Sequence, residues 1–254
     1  MTIKVLKWFE GEKYEAVTGE NKWFVYDGIM SNPNIEFVDK EEDCDYILHR
    51  GDFSDEILKK KYINLDWGDN RKIYYSGPCY KQFKRSIVNK RWKGCNFHRY
   101  PKKLKIKNIS YCLKEECFKL DEFHNLDKYE RNIDFSCLFN PGQYKGSRWE
   151  VATFLKDNFS NTKYNVKIGT CGWYGKAGRR KTVRKLLDKS DGPNYYKRMF
   201  HSKIVVTCNP PDWEGDYRLW DAISSGALVM VDRMITPTIN PLIHEKHIIY
   251  YDTR

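Results

Sequence analysis

The sequence lacks long apolar runs. Nothing in its 254 residues approaches the roughly 18 to 20 consecutive apolar residues of a membrane-spanning helix, and the opening MTIKVLKWFEGEKYE holds too short an apolar stretch for a signal-peptide core. The expectation is therefore a chain with no membrane span and a cytoplasmic location. Cysteine pairing signals are missing as well. The eight cysteines, Cys44, Cys79, Cys95, Cys112, Cys117, Cys137, Cys171 and Cys208, are scattered without a CxxC pair and read as reduced thiols, which argues against a disulfide framework. Internal repeats and low-complexity tracts are also absent, which excludes a solenoid or fibrous chain.

What is there is the composition of a folded globule, 41% hydrophobic and 15% aromatic. A chain of this length buries roughly 70 to 75% of its unfolded surface, enough for one large core or two small ones. The net charge of +11 fits an anionic partner: nucleic acid, a membrane surface or a phosphorylated small molecule. Charge alone does not choose among these.

Short β-like runs punctuate the first half at Ile3–Phe9, Lys22–Tyr26, Ile35–Val38, Tyr46–His49 and Tyr62–Asp66, with helical composition at Ser54–Lys60 and Lys81–Lys90. Around Asp121–Arg131 the chain turns strongly polar and loses apolar periodicity. A domain boundary is expected there, dividing residues 1–128 from 129–254. The second half alternates more cleanly. Strands are expected at Asn132–Phe139, Tyr164–Gly169, Lys203–Cys208, Ala227–Val231 and His247–Tyr251. Helices are expected at Ser147–Asn158, Lys181–Asp188, Asn194–His201 and Asp216–Ser225, the last ended by Gly226. Strand alternating with helix at this spacing implies an α/β chain with parallel, doubly wound sheets, whose ligands sit at the carboxyl ends of the strands.

Two constellations carry chemistry. The first is the strand–loop–helix Ile133–Glu150, where Ser147 and Glu150 have the spacing of a capping box. A helix starting there turns its positive end toward the binding edge, and Lys145 and Arg148 add charge for a phosphate. The same pattern also serves an ordinary capped helix with a surface arginine.

The second is Ser202–Asp232: a buried strand, a loop with two prolines and a glycine, a helix and another buried strand. On that helix Leu219, Ala222, Ile223 and Gly226 share the face that packs on the sheet, and Arg218, Asp221 and Ser225 share the other. A cation in the first helical turn is unfavourable unless an anion shares the site, so Arg218 points to a diphosphate. Asp221 is placed to accept from two vicinal hydroxyls, as a carboxylate does on a ribose. A surface Arg/Asp pair is the plain alternative.

The run from Tyr196 through Asp232, Tyr-x(5)-Ser-Lys, apolar strand, Pro-rich loop, Arg-Leu-Trp-Asp-Ala-Ile-x-x-Gly and apolar strand, resembles the donor half of exostosin-like glycosyltransferases. Weaker echoes lie at Asp43–His49, Tyr62–Asp69 and Lys84-Arg-Ser. The resemblance is to the small unanchored forms found in large DNA viruses and bacteria. It implies a GT-B architecture, two Rossmann-like domains facing across a cleft, with the acceptor on the first and the nucleotide sugar on the second. It also implies an inverting, metal-independent transfer from a nucleotide-diphosphate sugar, UDP-linked and perhaps UDP-xylose, to a hydroxyl of a glycan acceptor. On that basis Arg218 binds the diphosphate, Asp221 the ribose and Arg148 the phosphate from the facing loop. Ser147, Asn209, Asp216 and Tyr217 complete the donor side. Tyr217 departs from the family, which has a small hydroxylic residue there.

The acceptor hydroxyl needs a base, and Asp52, Asp66 and Asp69 lie at the ends of strand-like runs in the first half. Each is equally a turn-forming aspartate. Trp173 and Tyr174 follow a strand and are placed to stack on the base or the acceptor, or to form a structural aromatic loop. Asp43-Cys-Asp45 imitates a metal-binding DxD, but it lies in the acidic run Asp39–Asp45 and reads as a solvated turn, so no metal is expected. A basic nucleic-acid-binding protein is the alternative, supported by charge and by aromatics available for stacking. No helix-turn-helix, RNP-like or zinc-knuckle pattern supports it, and no nucleic-acid partner is expected.

Overall fold

Runs of β-branched residues separated by turns and amphipathic helices do build parallel sheets here. A computed structural model describes residues 2–7, 32–49, 62–66, 81–84, 106–108, 121–139, 147–159, 161–170, 188–189, 192–209, 217–234 and 240–252. The main division into two compact units falls between Ser110 and Tyr111, ahead of the polar stretch that suggests a boundary in the sequence.

The first unit contains β1 (Ile3–Lys7), β2 (Ile35–Val38), β3 (Tyr46–His49), β4 (Tyr62–Asp66), β5 (Lys81–Lys84) and β6 (Ile106–Asn108). They form one parallel sheet in the order β2-β1-β3-β4-β5-β6. Val5, Leu48 and Leu65 are buried at its centre, with Ile35, Phe37, Ile63 and Phe83 packed against them. Lys81–Lys84 corrects the helix expected over Lys81–Lys90. Phe83 registers beside Leu65 and joins this apolar cluster, so pairing and burial override a lysine-rich local preference for helix. The runs Lys22–Tyr26 and Ser54–Lys60 lie outside the described residues.

The second unit begins with a short α1 (Asp121–His124) and a 3₁₀ turn (Leu126–Lys128). It continues through β7 (Ile133–Leu138), α2 (Ser147–Phe159), β8 (Val166–Thr170), β9 (Asp188–Lys189), α3 (Gly192–Phe200), β10 (Ser202–Thr207), α4 (Tyr217–Ser224), β11 (Leu228–Asp232) and β12 (Ile249–Tyr251). Asp188–Lys189 pairs as a strand with β8 where the sequence suggests the end of a helix; residues 181–187 lie outside the described set. The parallel sheet runs β12-β11-β10-β7-β8-β9. Counted along the chain this is the order 6-5-4-1-2-3, a Rossmann-like arrangement in which the strand order reverses between β7 and β10.

The two faces of this sheet can be read from alternate residues. Val205 on β10 joins Leu138, Val229 and Val231 under Tyr195 and Met199 of α3 and Leu219 and Ala222 of α4. Its neighbour Val206 joins Cys137, Phe139 and Ile168 under Ala152 and Leu155 of α2. Burial on both faces is why the middle of β10, Ile204, Val205 and Val206, is apolar without alternation. Each fully buried aliphatic side chain stabilises the fold by about 1.5 to 3 kcal/mol.

Arg131 ties the amino-terminal side together. Its guanidinium donates to the carbonyls of Phe200 (3.1 Å) and Ser202 (2.7 Å) from Nη1 and of Ser225 (2.9 Å) from Nη2. It thereby satisfies carbonyls at and just beyond the ends of two helices, where the backbone lacks partners of its own. Gly226, with φ +68°, reverses the chain after α4, and a Cβ there would lie 3.0 Å from Nη2 of Arg131. Among the described residues no helix is long and apolar enough to cross a membrane.

Candidate functional site

The strand order reverses between β7 and β10, and in doubly wound sheets a crevice lies at the carboxyl ends of the strands at such a point. Two sequence-expected residues, Ser147 and Arg148, are the first two of α2 beside that crevice. Arg148 bridges it: Nε donates to the carbonyl of Cys208 at 2.8 Å, and its guanidinium carbon lies 5.7 Å from the centre of the Phe139 ring. The cation is thus fixed between the end of β7 and the end of β10, at the positive end of a 13-residue helix.

Asn209, another expected donor residue, stands two positions beyond β10 and is nearly buried. Its backbone N–H donates to Oδ1 of Asp232 at 2.6 Å, and its side-chain amide donates to the Asp232 carbonyl at 3.1 Å. The end of β10 is thereby clamped to the end of β11. Oδ1 of Asn209 is buried and has no hydrogen-bond partner among the described residues, so the clamp leaves an acceptor in need of a donor.

Sequence reasoning assigns no role to Asp232. The signal available was a carboxylate closing the apolar run Leu228–Val231 at the binding edge of a parallel strand. Burial pushes its pKa up to about 6, against the pull of the Asn209 N–H, its own N–H, the Cys208 thiol and the Arg148 charge. Burial also raises the Cys208 thiol and the Tyr251 hydroxyl, which donates to the Thr207 carbonyl at 2.7 Å.

On α4, Arg218 and Asp221 are both buried, Asp221 to 1% exposure, and Ser225 is fully buried. The plain alternative of a surface Arg/Asp pair does not describe this helix, since both side chains are enclosed. Oδ2 of Asp221 accepts from the Tyr195 hydroxyl of α3 at 3.1 Å. Tyr195 is a partner that no local pattern marks, because contact between two crossover helices is a tertiary fact. In this arrangement a protein hydroxyl holds the carboxylate that was expected to hold a ribose. Tyr217 is the first residue of α4, so the helix starts one residue before the arginine.

Of the expected bases, Asp66 occupies the last position of β4, at a carboxyl strand end. Asp52, Asp69, Asp216, Trp173 and Tyr174 lie outside the described residues. Asp43 ends a 3₁₀ turn, and Asp45 staples β3 to β1. The Asp45 carboxylate accepts from the Lys4 N–H at 2.8 Å, and its own N–H donates to the Lys4 carbonyl at 2.8 Å. That pair lies before β3, on the side of the sheet away from the carboxyl ends. Among the described residues no group of three or more His, Cys, Asp or Glu side chains is placed to hold a metal ion.

No family model matches the chain, and no curated protein matches it. Among solved structures it is similar to one described as the S. aureus MnaA–UDP co-structure, at 11% identity and a TM-score of 0.43, over 92% of this chain and 80% of that one. At that similarity no residue is carried across. The fold itself is mixed α/β with parallel sheets.

Proposed function

We propose that the chain is a glycosyltransferase that takes a sugar from a nucleotide-diphosphate donor, UDP-linked, and passes it to a hydroxyl of a glycan acceptor. The observation that carries this is the convergence of Arg148 and the half-satisfied Asn209 clamp on the crevice where the second sheet reverses its strand order. Doubly wound sheets bind nucleotides at that point, with the diphosphate on a helix start.

In this proposal the donor diphosphate meets the amino terminus of α2 and the Arg148 guanidinium, with Arg218 contributing from α4. As the glycosidic bond breaks, negative charge gathers on the leaving diphosphate. A cation already fixed by the Cys208 carbonyl stabilises that charge without reorganising. Oδ1 of Asn209 accepts a hydroxyl or N–H of the nucleoside. Asp221, held by Tyr195, orients the arginine side of α4 and reaches a ribose once that tyrosine contact yields. Asp52, Asp66 and Asp69 are the candidate bases for the acceptor hydroxyl, with inversion as the stereochemical outcome and no metal required.

The test is a thermal-shift panel with UDP, GDP, ADP and their common sugars, with and without EDTA, on wild type, Arg148→Ala and Arg218→Ala. Stabilisation by one nucleotide, insensitive to EDTA and lost in Arg148→Ala, is the expected result. Absence of a shift with every nucleotide and sugar refutes the proposal and leaves a basic nucleic-acid-binding protein as the better account of the charge.

A further inference from the structure

We propose that the opposite, amino-terminal edge of the second sheet holds a separate site for a tetrahedral oxyanion, the phosphate or sulfate group of a small molecule, on Lys197, Arg198 and His201. A cavity of about 300 Å³ opens there, lined by these three residues with Asn132 and Ile133. Ile133 begins β7 and His201 directly precedes β10, so this cavity lies about one strand length, roughly 20 Å, from the crevice of Arg148. The donor diphosphate of the proposed transferase therefore does not reach it.

The charge in this cavity is uncompensated by its lining. Three basic side chains face it and, among the described residues, no acid does. The nearby Asp134 is already engaged, accepting from Lys203 Nζ at 2.7 Å and from the Asn165 N–H at 2.9 Å. Nη1 of Arg198 is buried and has no hydrogen-bond partner among the described residues. A desolvated guanidinium N–H without an acceptor is costly, and an oxyanion is the ligand that offsets this cost best.

Basic residues in the last turn of a helix often serve only its own carbonyls, but here those carbonyls are taken. The Lys197 carbonyl accepts from the His201 N–H, the Arg198 carbonyl from the Ser202 hydroxyl and the Phe200 carbonyl from Arg131. The His201 ring is held in place, its Nδ1 2.9 Å from the Glu130 carbonyl and Tyr129 edge-on at 5.6 Å. With Nδ1–H donating to that carbonyl, Nε2 donates to an oxyanion when the ring is protonated and accepts from an oxyanion's O–H when it is not. A cavity of this size is at the small end of ligand sites and suits one phosphate or sulfate group with a small body, rather than the long basic stripe that a nucleic acid needs.

Isothermal titration of the full chain with inorganic phosphate and with inorganic sulfate, at matched ionic strength in chloride, tests the site. Saturable binding is expected, weakened about tenfold or more in Arg198→Gln and unchanged in Lys203→Gln, whose lysine pairs with Asp134 outside the cavity. Should Arg198→Gln fail to fold, His201→Gln gives a second readout with the same expected weakening. Tighter binding of glycerol phosphate than of inorganic phosphate assigns the site to phosphate esters, and the reverse assigns it to the free ion. No saturable binding, equal weakening in Lys203→Gln, or binding only of an oligonucleotide with steep salt dependence would overturn the proposal.

Discussion

Replacing Asp232 by asparagine should make the protein more stable at neutral pH and leave it nearly unchanged at acid pH. Burial raises the Asp232 carboxyl to about 6, whereas an unfolded aspartate titrates near 4. A group with a raised folded pKa holds its proton more tightly in the folded chain. Its contribution to stability is therefore fully present below the unfolded value and is lost as the pH rises through the folded one. The full difference is about 3 kcal/mol, net of the Asn209 hydrogen bond and the Arg148 charge, and about 1 kcal/mol of it is already lost at about pH 4.5. Asparagine keeps an acceptor for the Asn209 N–H and has no proton to lose. The stability gap between Asp232→Asn and wild type should thus widen by about 2 kcal/mol between about pH 4.5 and pH 8. In thermal melts of a chain this size that is roughly 4 to 8 °C. Parallel pH profiles for the two proteins, or a variant less stable at pH 8 than at pH 4.5 relative to wild type, would refute the assignment of a raised carboxyl pKa at the end of β11.

Two further predictions concern the amino-terminal side of the same unit. Arg131→Ala removes donors to three backbone carbonyls and should cost about 2 to 4 kcal/mol, seen as a lower urea midpoint at unchanged slope. Arg131→Lys should recover less than half of that, because one ammonium cannot span three carbonyls on separate elements. Gly226→Ala places a Cβ at φ +68° and 3.0 Å from the same guanidinium, and should cost about 1 to 3 kcal/mol. Combined with Arg131→Ala it should cost less than the sum, a coupling that a double-mutant cycle would measure.

Most strands of both sheets were legible from the sequence because the pattern that marks them is local, whereas the short strands Ile106–Asn108 and Asp188–Lys189 were not. Ile35–Val38, Tyr46–His49 and Tyr62–Asp66 appear as read, and Leu228–Asp232 differs from its expected bounds by one residue at each end. The turn at Gly226 was legible for the same reason, since an αL helix end favours glycine. Lys81–Lys84 was misread because its preference for helix yields to pairing with a distant strand and to burial of Phe83, neither of which is written in the neighbouring residues.

For the candidate site the division is similar. Arg148 could be named from its place at the start of a helix and Asn209 from its place just after an apolar strand. Which atoms they meet was decided by strand order, since residues 60 positions apart, Arg148 and Cys208, touch only because β10 crosses back to lie beside β7. Asp232 needed the burial that the assembled sheet imposes before its raised pKa had a cause, and Asp221 needed the Tyr195 hydroxyl to show that its side of α4 is enclosed. Periodicity along one chain segment tells which residues turn inward. The partner that each inward polar group finds depends on free energies summed over elements far apart in sequence, and only the assembled sheet supplies them.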